Sequence, residues 1–351
     1  MKVLVLHAYS ADNLGDGLLV RESLDLIRLA CGETAEVTVA ASHPQTFKNI
    51  SAHVVDSQPR RRGYDAAYIR TLLNVKEFDL VVGVGGGYMR AGTPVEAAKS
   101  LLVHGPQLWA AARHAAKSVY LPQSIGPVKY GLKGLVASRL RKLGVVMLRD
   151  DRSMEEFRSI SPTRMPDLAA GEIEGPPSQK TPSEIPVLSV REVRGSVPPR
   201  LYNLAARLET FDGYIQSTSG GNNDRPATAT FNTRRIIDRN ELLMDADRNV
   251  RVVVAVRLHA ALMALRAGHY VVHLAYERKG FGAFDDLGLS EFVHNVNTFS
   301  VDTVVGQTES LLTDERVRRD YRQRLLSSSD RRTEARNECI STLRTTAGIN
   351  D

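Results

Sequence analysis

Residues 252–280, VVVAVRLHAALMALRAGHYVVHLAYERKG, place a hydrophobic strand, a turn with Arg and His, a helix, a second strand and another charged turn in succession. The run 252–256 is continuous and mostly β-branched, the composition of a strand buried on both faces. Residues 260–267 read as a short apolar helix stopped by Gly268, and 270–276 as the next strand. In a right-handed βαβ unit the two strands are parallel. Arg257 and His259 then follow one strand while Glu277, Arg278 and Lys279 follow the next on the same edge of the sheet. That edge is where α/β folds bind ligands.

Taken singly these residues are ordinary. A lone His in a strand-to-helix turn more often caps or packs, and Arg and Lys in loops are mostly solvated. Their order carries the argument, because three cations and an imidazole gathered at one carboxyl edge serve no obvious structural purpose. An anionic ligand would supply one.

At 351 residues the chain exceeds what one core usually serves, so two domains are expected. Its 42% hydrophobic and 25% charged residues are those of a soluble globular protein, which sets aside disordered and fibrous classes. The formal charge of +6 is modest and the basic residues are spread along the chain, so an acidic small substrate outweighs a nucleic-acid groove. Cys31 and Cys339 stand far apart, outside any CxxC or Cys/His cluster, which points to neither a disulfide framework nor a zinc site. The N-terminal apolar run is too short for a signal peptide, and no stretch is long enough to cross a bilayer. A reducing, cytoplasmic location is the expectation.

Along the chain, 2–8 reads as a buried strand, and the turn 10–17 leads into a helix carrying Leu18, Leu19, Leu24, Ile27 and Leu29. On spacing alone Asp16 is an acidic residue favoured by the helix dipole, and the glycines beside it do not form the dinucleotide fingerprint. A second strand at 36–41 precedes a helix at 64–78. The strand at 79–84 runs straight into Gly85, Gly86 and Gly87, where a phosphate, a sugar or a tight packing turn could approach the backbone. A helical stretch at 95–116 breaks near Gly105-Pro106. The strand 118–121 delivers the polar loop with Gln123 and Ser124, and after a basic helix at 132–143 the strand 145–148 delivers Arg149. Arg149 reads as an anion binder or as the partner of Asp150 or Asp151, with Ser153 capping the next helix.

From about 167 to 186 the composition turns to Pro, Gly, Ser and Glu, the mark of a linker. The expected division is a Rossmann-like domain at 1–170, a linker at 171–186, a second Rossmann-like domain at 187–312 and a helical tail at 313–351. Two doubly wound α/β domains facing each other across a cleft are the expected architecture.

The ordered set NLGDGLL (13–19), GVGGGY (83–88), PQSIGP (122–127), RDDRS (149–153), VRLHAALMAL (256–265) and the AYERKG loop resembles the polysaccharide pyruvyl transferase family, as far as about Leu289. The resemblance implies a GT-B-like fold and transfer of a pyruvyl group from phosphoenolpyruvate onto a sugar as a cyclic ketal. It gives functional weight to Asp16, Arg149, Arg257, His259 and Lys279. Asn13, Gly86, Gly87, Gln123 and Ser124 lie in the same motifs and join them as substrate-binding candidates. Residues 217–247 and the tail match poorly, and acceptor choice would lie there.

Phosphoenolpyruvate carries a phosphate and a carboxylate on an enol carbon. Arg149, Arg257 and Lys279 suit the two anions, and His259 suits proton transfer to the methylene carbon or from a sugar hydroxyl. Asp16 is then the candidate base for that hydroxyl. Neither a cofactor nor a metal is implied beyond phosphoenolpyruvate as co-substrate. The expected partner is a glycan or lipid-linked sugar, the latter bringing the protein to a membrane periphery, and no nucleic acid. Two rivals share the fold: a GT-B glycosyltransferase using a nucleotide sugar, and a non-catalytic glycan- or nucleotide-binding protein.

Overall fold

The computed structural model describes residues 1–48, 50–171, 173, 180–218, 223–243 and 249–349. The chain forms two compact units, one of Met1–Leu168 with Glu334–Asp351 and one of Ala169–Thr333. Much of the linker read at 171–186 lies outside the described residues, as do 219–222 and Met244.

The first unit runs β1 (Lys2–Ala8), α1 (Leu14–Cys31), β2 (Glu36–Ala41), β3 (His53–Asp56), α2 (Ala66–Leu73), β4 (Leu80–Gly83), α3 (Pro94–Val103), α4 (Gly105–Arg113), β5 (Ser118–Gln123), α5 (Leu132–Leu140), β6 (Val145–Leu148), α6 (Asp151–Glu156) and β7 (Thr163–Arg164). Its strands pair in parallel in the order β3-β2-β1-β4-β5-β6-β7. Val3 to Leu6 of β1 and Leu80 to Val82 of β4 are fully buried, so neither strand has a face that could meet water, and helices must cover both.

The break expected near Gly105-Pro106 is present: the stretch at 95–116 is two helices parted at His104, with Pro106 in the first turn of α4, where its missing N–H leaves no bond unmade. One local reading is corrected. The cap of α6 is Asp150 rather than Ser153: the Asp150 carboxylate accepts from the Ser153 N–H at 2.9 Å and the Ser153 hydroxyl at 2.8 Å.

The second unit runs β8 (Val187–Ser189), α7 (Pro199–Leu208), β9 (Asp212–Tyr214), α8 (Arg225–Ala229), β10 (Ile236–Ile237), α9 (Arg239–Leu243), β11 (Val252–Ala255), α10 (Leu258–Arg266), β12 (Tyr270–Ala275), α11 (Arg278–Asp286), β13 (Val293–Asn295), α12 (Val301–Thr313) and α13 (Glu315–Ser327). Its sheet is also all parallel, in the order β10-β9-β8-β11-β12-β13. The tail read as one helix breaks at Ser328, and α14 (Ser329–Ala347) follows. From Glu334 onward the chain belongs to the first unit, where Arg336 lies 3.3 Å from Glu22 and the Cys339 sulfur 3.7 Å from that of Met147.

In each sheet the winding direction reverses once, between β1 and β4 and between β8 and β11. Such a switch point opens a crevice at the carboxyl ends of its two strands. The opposite edge of the second sheet is closed by charge. Asp212, fully buried at the start of β9, accepts from Arg234 at 2.8 and 2.9 Å and from Arg251 at 3.2 Å, and Arg251 donates to Glu241 at 2.6 Å. Removing one member would strand a buried charge.

Four histidines, His7, His104, His269 and His273, are buried. Burial is the main force lowering the proton affinity of each; His104 is pushed down to about 3, and His269 and His273 to about 4. The unfolded chain holds the same groups near a pKa of about 6.5, so it binds more protons than the folded chain in mild acid. The stability they contribute is complete above about pH 6.5 and is lost as pH falls toward their folded values. At about pH 5 unfolding is therefore expected to take up close to one proton per buried histidine. Urea midpoints measured across that range check it, since a midpoint flat from neutrality to about pH 5 is incompatible with neutral buried histidines.

Candidate functional site

The residues singled out in the sequence fall on the carboxyl edges of the two sheets, and each edge is described in turn.

On the first sheet, Asn13 is the residue before α1, but its amide does not cap the helix. It donates to the Asp16 carboxylate at 2.7 Å, which orients that acid in the first helical turn. Gly17 is a packing requirement: a Cβ there would lie 3.0 Å from the Ala11 Cα. The glycine triplet divides by position. A Cβ on Gly85 would meet the Pro122 carbonyl at 2.8 Å, and one on Gly86 would strike the Tyr88 ring, so at these two the close approach is made by the chain itself. At Gly87 the neighbour is the Arg149 guanidinium, at 3.5 Å from the Cβ position.

Arg149 is buried, ion-paired with Asp167, and donates from Nε to the Ser124 hydroxyl at 3.0 Å. Neither Asp150 nor Asp151 is its partner, because Asp150 caps α6 and Asp151 pairs with Arg164 at 3.1 Å. The structure thus brings Gly87, Ser124 and Arg149 together. Beside them Gln123 is fully buried, and neither its amide oxygen nor its nitrogen has a hydrogen-bond partner among the described residues. An unmet buried amide costs roughly 1–3 kcal/mol, which a polar ligand group would relieve.

On the second sheet, Arg257 follows β11 and precedes the first turn of α10. Its Nε and Nη2 grip the Asp224 carboxylate at 2.6 and 2.7 Å, a bidentate pair. His259 is the second residue of α10 and is partly exposed. Lys279 stands in the first turn of α11 with its ammonium 2.7 Å from Glu277, while Arg278 points to an exposed position. Gly280 is required by packing, since a Cβ there would come within 2.5 Å of His273 Nε2 and 2.8 Å of the Ala275 Cβ.

Two residues at this edge escaped the sequence reading. Arg191 follows β8, donates to the Tyr276 hydroxyl at 2.7 Å and stacks on the Tyr276 ring at 4.9 Å. Asp224 comes from the polar loop after β9. Burial raises its proton affinity first, and hydrogen bonding and charge from Arg257, with the charge of Arg191, oppose that rise. The signal for Arg191 was available: it sits two positions past a buried strand, as Arg257 does for β11, and Arg149 follows β6 directly. Nothing in the sequence distinguishes Asp224 from other loop acids. Ser189 at the end of β8 and Gln216 beyond β9 each have a buried side-chain oxygen with no partner among the described residues.

The edge therefore carries cations after β8, β11 and β12, neighbours in the sheet, with an imidazole beside the switch point. Two doubly wound units, each with an all-parallel sheet, are the fold class of GT-B-like proteins, and in the second unit the carboxyl edge is cationic. Solved structures with the same fold include the UDP-GlcNAc 2-epimerase of Neisseria meningitidis bound to UDP-GlcNAc, at 11% identity and a TM-score of 0.55, covering 98% of this chain and 100% of that one. Trehalose-6-phosphate synthase is similar at 12% identity and a TM-score of 0.57, covering 98% of each chain. The S. aureus MnaA–UDP complex matches at 10% identity and a TM-score of 0.57, over 99% of this chain and 97% of that one. No curated protein matches the sequence. Residues 13–278 match the polysaccharide pyruvyl transferase family, and the chain belongs to that family.

Gly280→Ala is expected to destabilise the protein by about 1–3 kcal/mol, because neither the buried His273 ring nor the Ala275 Cβ can yield to a methyl group there. A thermal midpoint equal to wild type would mean that the ERKG glycine answers to a ligand instead of to packing.

Proposed function

We propose that the protein transfers the pyruvyl group of phosphoenolpyruvate onto two hydroxyls of a sugar in a glycan or lipid-linked precursor, forming a cyclic ketal. The supporting observation is the placement of Arg191, Arg257 and Lys279 after three neighbouring strands with His259 beside the switch point. Phosphoenolpyruvate presents two anions held apart by its carbon skeleton, and cations on separate strands match that spacing better than a single helix terminus would. Arg257 and Arg191 offer planar forks for the phosphate and the carboxylate, and Lys279 a point charge.

In this reading His259 gives a proton to the methylene carbon, making it a methyl group and leaving the central carbon electrophilic. One sugar hydroxyl adds to that carbon and releases its proton to a base. The phosphate then leaves, a second hydroxyl closes the ring, and its proton departs with the phosphate. Asp16, held by Asn13, is the candidate base for the acceptor. Arg149, Ser124, Gln123 and the Gly86–Gly87 backbone are candidates for polar contacts to substrate. The donor requires neither cofactor nor metal in this scheme, and the site works in the cytoplasm, where phosphoenolpyruvate is available.

His259→Gln is expected to lower turnover by about 100-fold to 10,000-fold while leaving donor affinity little changed. Arg191→Ala should do the reverse, weakening donor binding more than it slows the bound complex. Calorimetry with phosphoenolpyruvate in the presence of chelator, beside single-turnover rates, separates the two. Binding lost to chelator, or a preference for a nucleoside diphosphate, would sink the reading. Asp16→Asn should keep the fold and donor binding and slow turnover; unchanged turnover would make Asp16 a helix residue and no more.

A further inference from the structure

The acids of this chain are unevenly placed. From Ala97 to Arg149 there is no Asp or Glu, where the chain average would give about six, and the same segment holds nine Lys or Arg. It contains α3 beyond the Glu96 of its first turn, α4, α5 and the strands β5 and β6. Its exposed basic residues include Lys99, Arg113, Lys129, Lys133, Arg141 and Lys142.

The same part of the first unit carries the exposed apolar side chains. Of thirteen large hydrophobic residues exposed among the described ones, six fall between Val95 and Leu135: Val95, Leu101, Leu102, Trp109, Tyr130 and Leu135. Val95 is 77% exposed and Trp109 45%, so these are not core residues showing an edge. α4 packs against both α3 and α5. Between the three helices opens an apolar cavity of about 170 Å³, walled by Leu101, Leu108, Trp109, Leu132 and Leu135 among others. A dry apolar cavity of roughly 150 Å³ accommodates benzene, so this one is wide enough for a hydrocarbon chain.

We propose that this face of the first unit docks on an anionic lipid bilayer, with an acyl or prenyl chain entering the cavity. The charge sign selects the partner. A protein surface would be expected to meet six exposed apolar groups with its own apolar core, whereas a rim in which six exposed lysines and arginines outnumber the one carboxylate of Glu96 complements a sheet of phosphate headgroups. Arg113 stacks on the Trp109 ring at 4.6 Å, so the sole tryptophan of the chain joins the basic rim to the apolar centre, as interfacial aromatics do. No helix among the described residues is long and apolar enough to cross a membrane, so the attachment is peripheral. The inference stands on this surface alone and is independent of the pyruvyl reading.

The test uses the full chain with vesicles of phosphatidylcholine and vesicles in which about a third of the lipid is phosphatidylglycerol, with no substrate present. Cosedimentation is expected with the anionic vesicles only, and Trp109 fluorescence should shift to the blue and lose access to an aqueous quencher. Each basic residue at an anionic surface is worth a factor of about five in partitioning, so Lys129→Glu, Lys133→Glu and Lys142→Glu combined should reduce binding by at least about 100-fold. Leu102→Ser with Leu135→Ser should weaken binding and abolish the fluorescence shift while keeping the thermal midpoint, since both side chains are exposed. No binding to anionic vesicles, binding that the charge reversals leave intact, or a Trp109 shielded by self-association in the absence of lipid would each overturn the proposal.

Discussion

A parallel pair of strands forces the chain to travel back the length of the sheet before it can form the next pair. That constraint underlies everything that is functional here. After every strand the chain emerges at the same edge, and every return crosses a face, so one edge collects the ends of all strands while helices occupy both faces. Arg191, Arg257 and Lys279 lie far apart in sequence and come to one edge for this reason alone. The opposite edge collects strand beginnings, and in the second unit those are occupied by Asp212, Arg234, Arg251 and Glu241, which bond among themselves. Cations outnumber acids at both edges, by Arg234, Arg235 and Arg251 over Asp212 and Glu241 at one and by Arg191, Arg257 and Lys279 over Asp224 and Glu277 at the other.

The candidate site cations of both units are held in position by acids. Arg149 has Asp167, Arg257 has Asp224 and Lys279 has Glu277. A set of cations without such partners would repel one another and wander among rotamers, and ordering them would fall to the ligand. A carboxylate gripping two nitrogens of a guanidinium fixes the plane of the fork beforehand. The pairs differ in depth. Arg149 and Asp167 are both almost fully buried, so either without the other is a stranded charge, and loss of Arg149 would register as lost stability. Lys279 and Glu277 are each about a quarter exposed, at 24% and 27%, which makes theirs the pair most readily exchanged for a ligand anion.

The strands and helices that were legible in the sequence were those with a strong period. β1, β2 and β6 have the bounds that their apolar runs gave, because a strand buried on both faces writes its limits as the limits of a hydrophobic run. β3, β7, β10 and β13 were not seen. They lie at the ends of their order and have two to four residues, most of them short of full burial, and a short edge strand leaves no such trace. Among the site residues, those next to strong strands were found. Asp224 was not, because its loop has no pattern and only the fold carries it to Arg257. The glycines mislead in an instructive way: Gly17, Gly85, Gly86 and Gly280 look like invitations to a ligand, and each is demanded by a neighbouring atom of the same unit.

One strained residue ties the core of the first unit to its edge. His7 adopts φ 70°, in the left-handed region, one position before β1 ends, where the register with β2 shifts between Val5 and Ala8. Such a conformation costs a side-chain-bearing residue about 1–3 kcal/mol, and the surroundings must over-determine it. They do so with polar groups. The His7 N–H donates to the Gln107 side-chain oxygen at 2.6 Å, its Nε2 lies 2.7 Å from the Tyr120 hydroxyl, and its Nδ1 lies 3.2 Å from that of His104. The Tyr88 ring stacks on it at 5.5 Å. A hydrogen between the two facing nitrogens needs one ring to donate and the other to accept, and with both rings neutral, as burial favours, the two must adopt complementary tautomers. If Tyr120 donates to Nε2, then His7 Nδ1 carries its hydrogen toward His104. Bending the backbone at His7 turns the chain out of the sheet at the switch point, and the loop that follows delivers Asn13 and Asp16. The polar groups around His7 therefore hold the bend from which the loop carrying Asn13 and Asp16 departs.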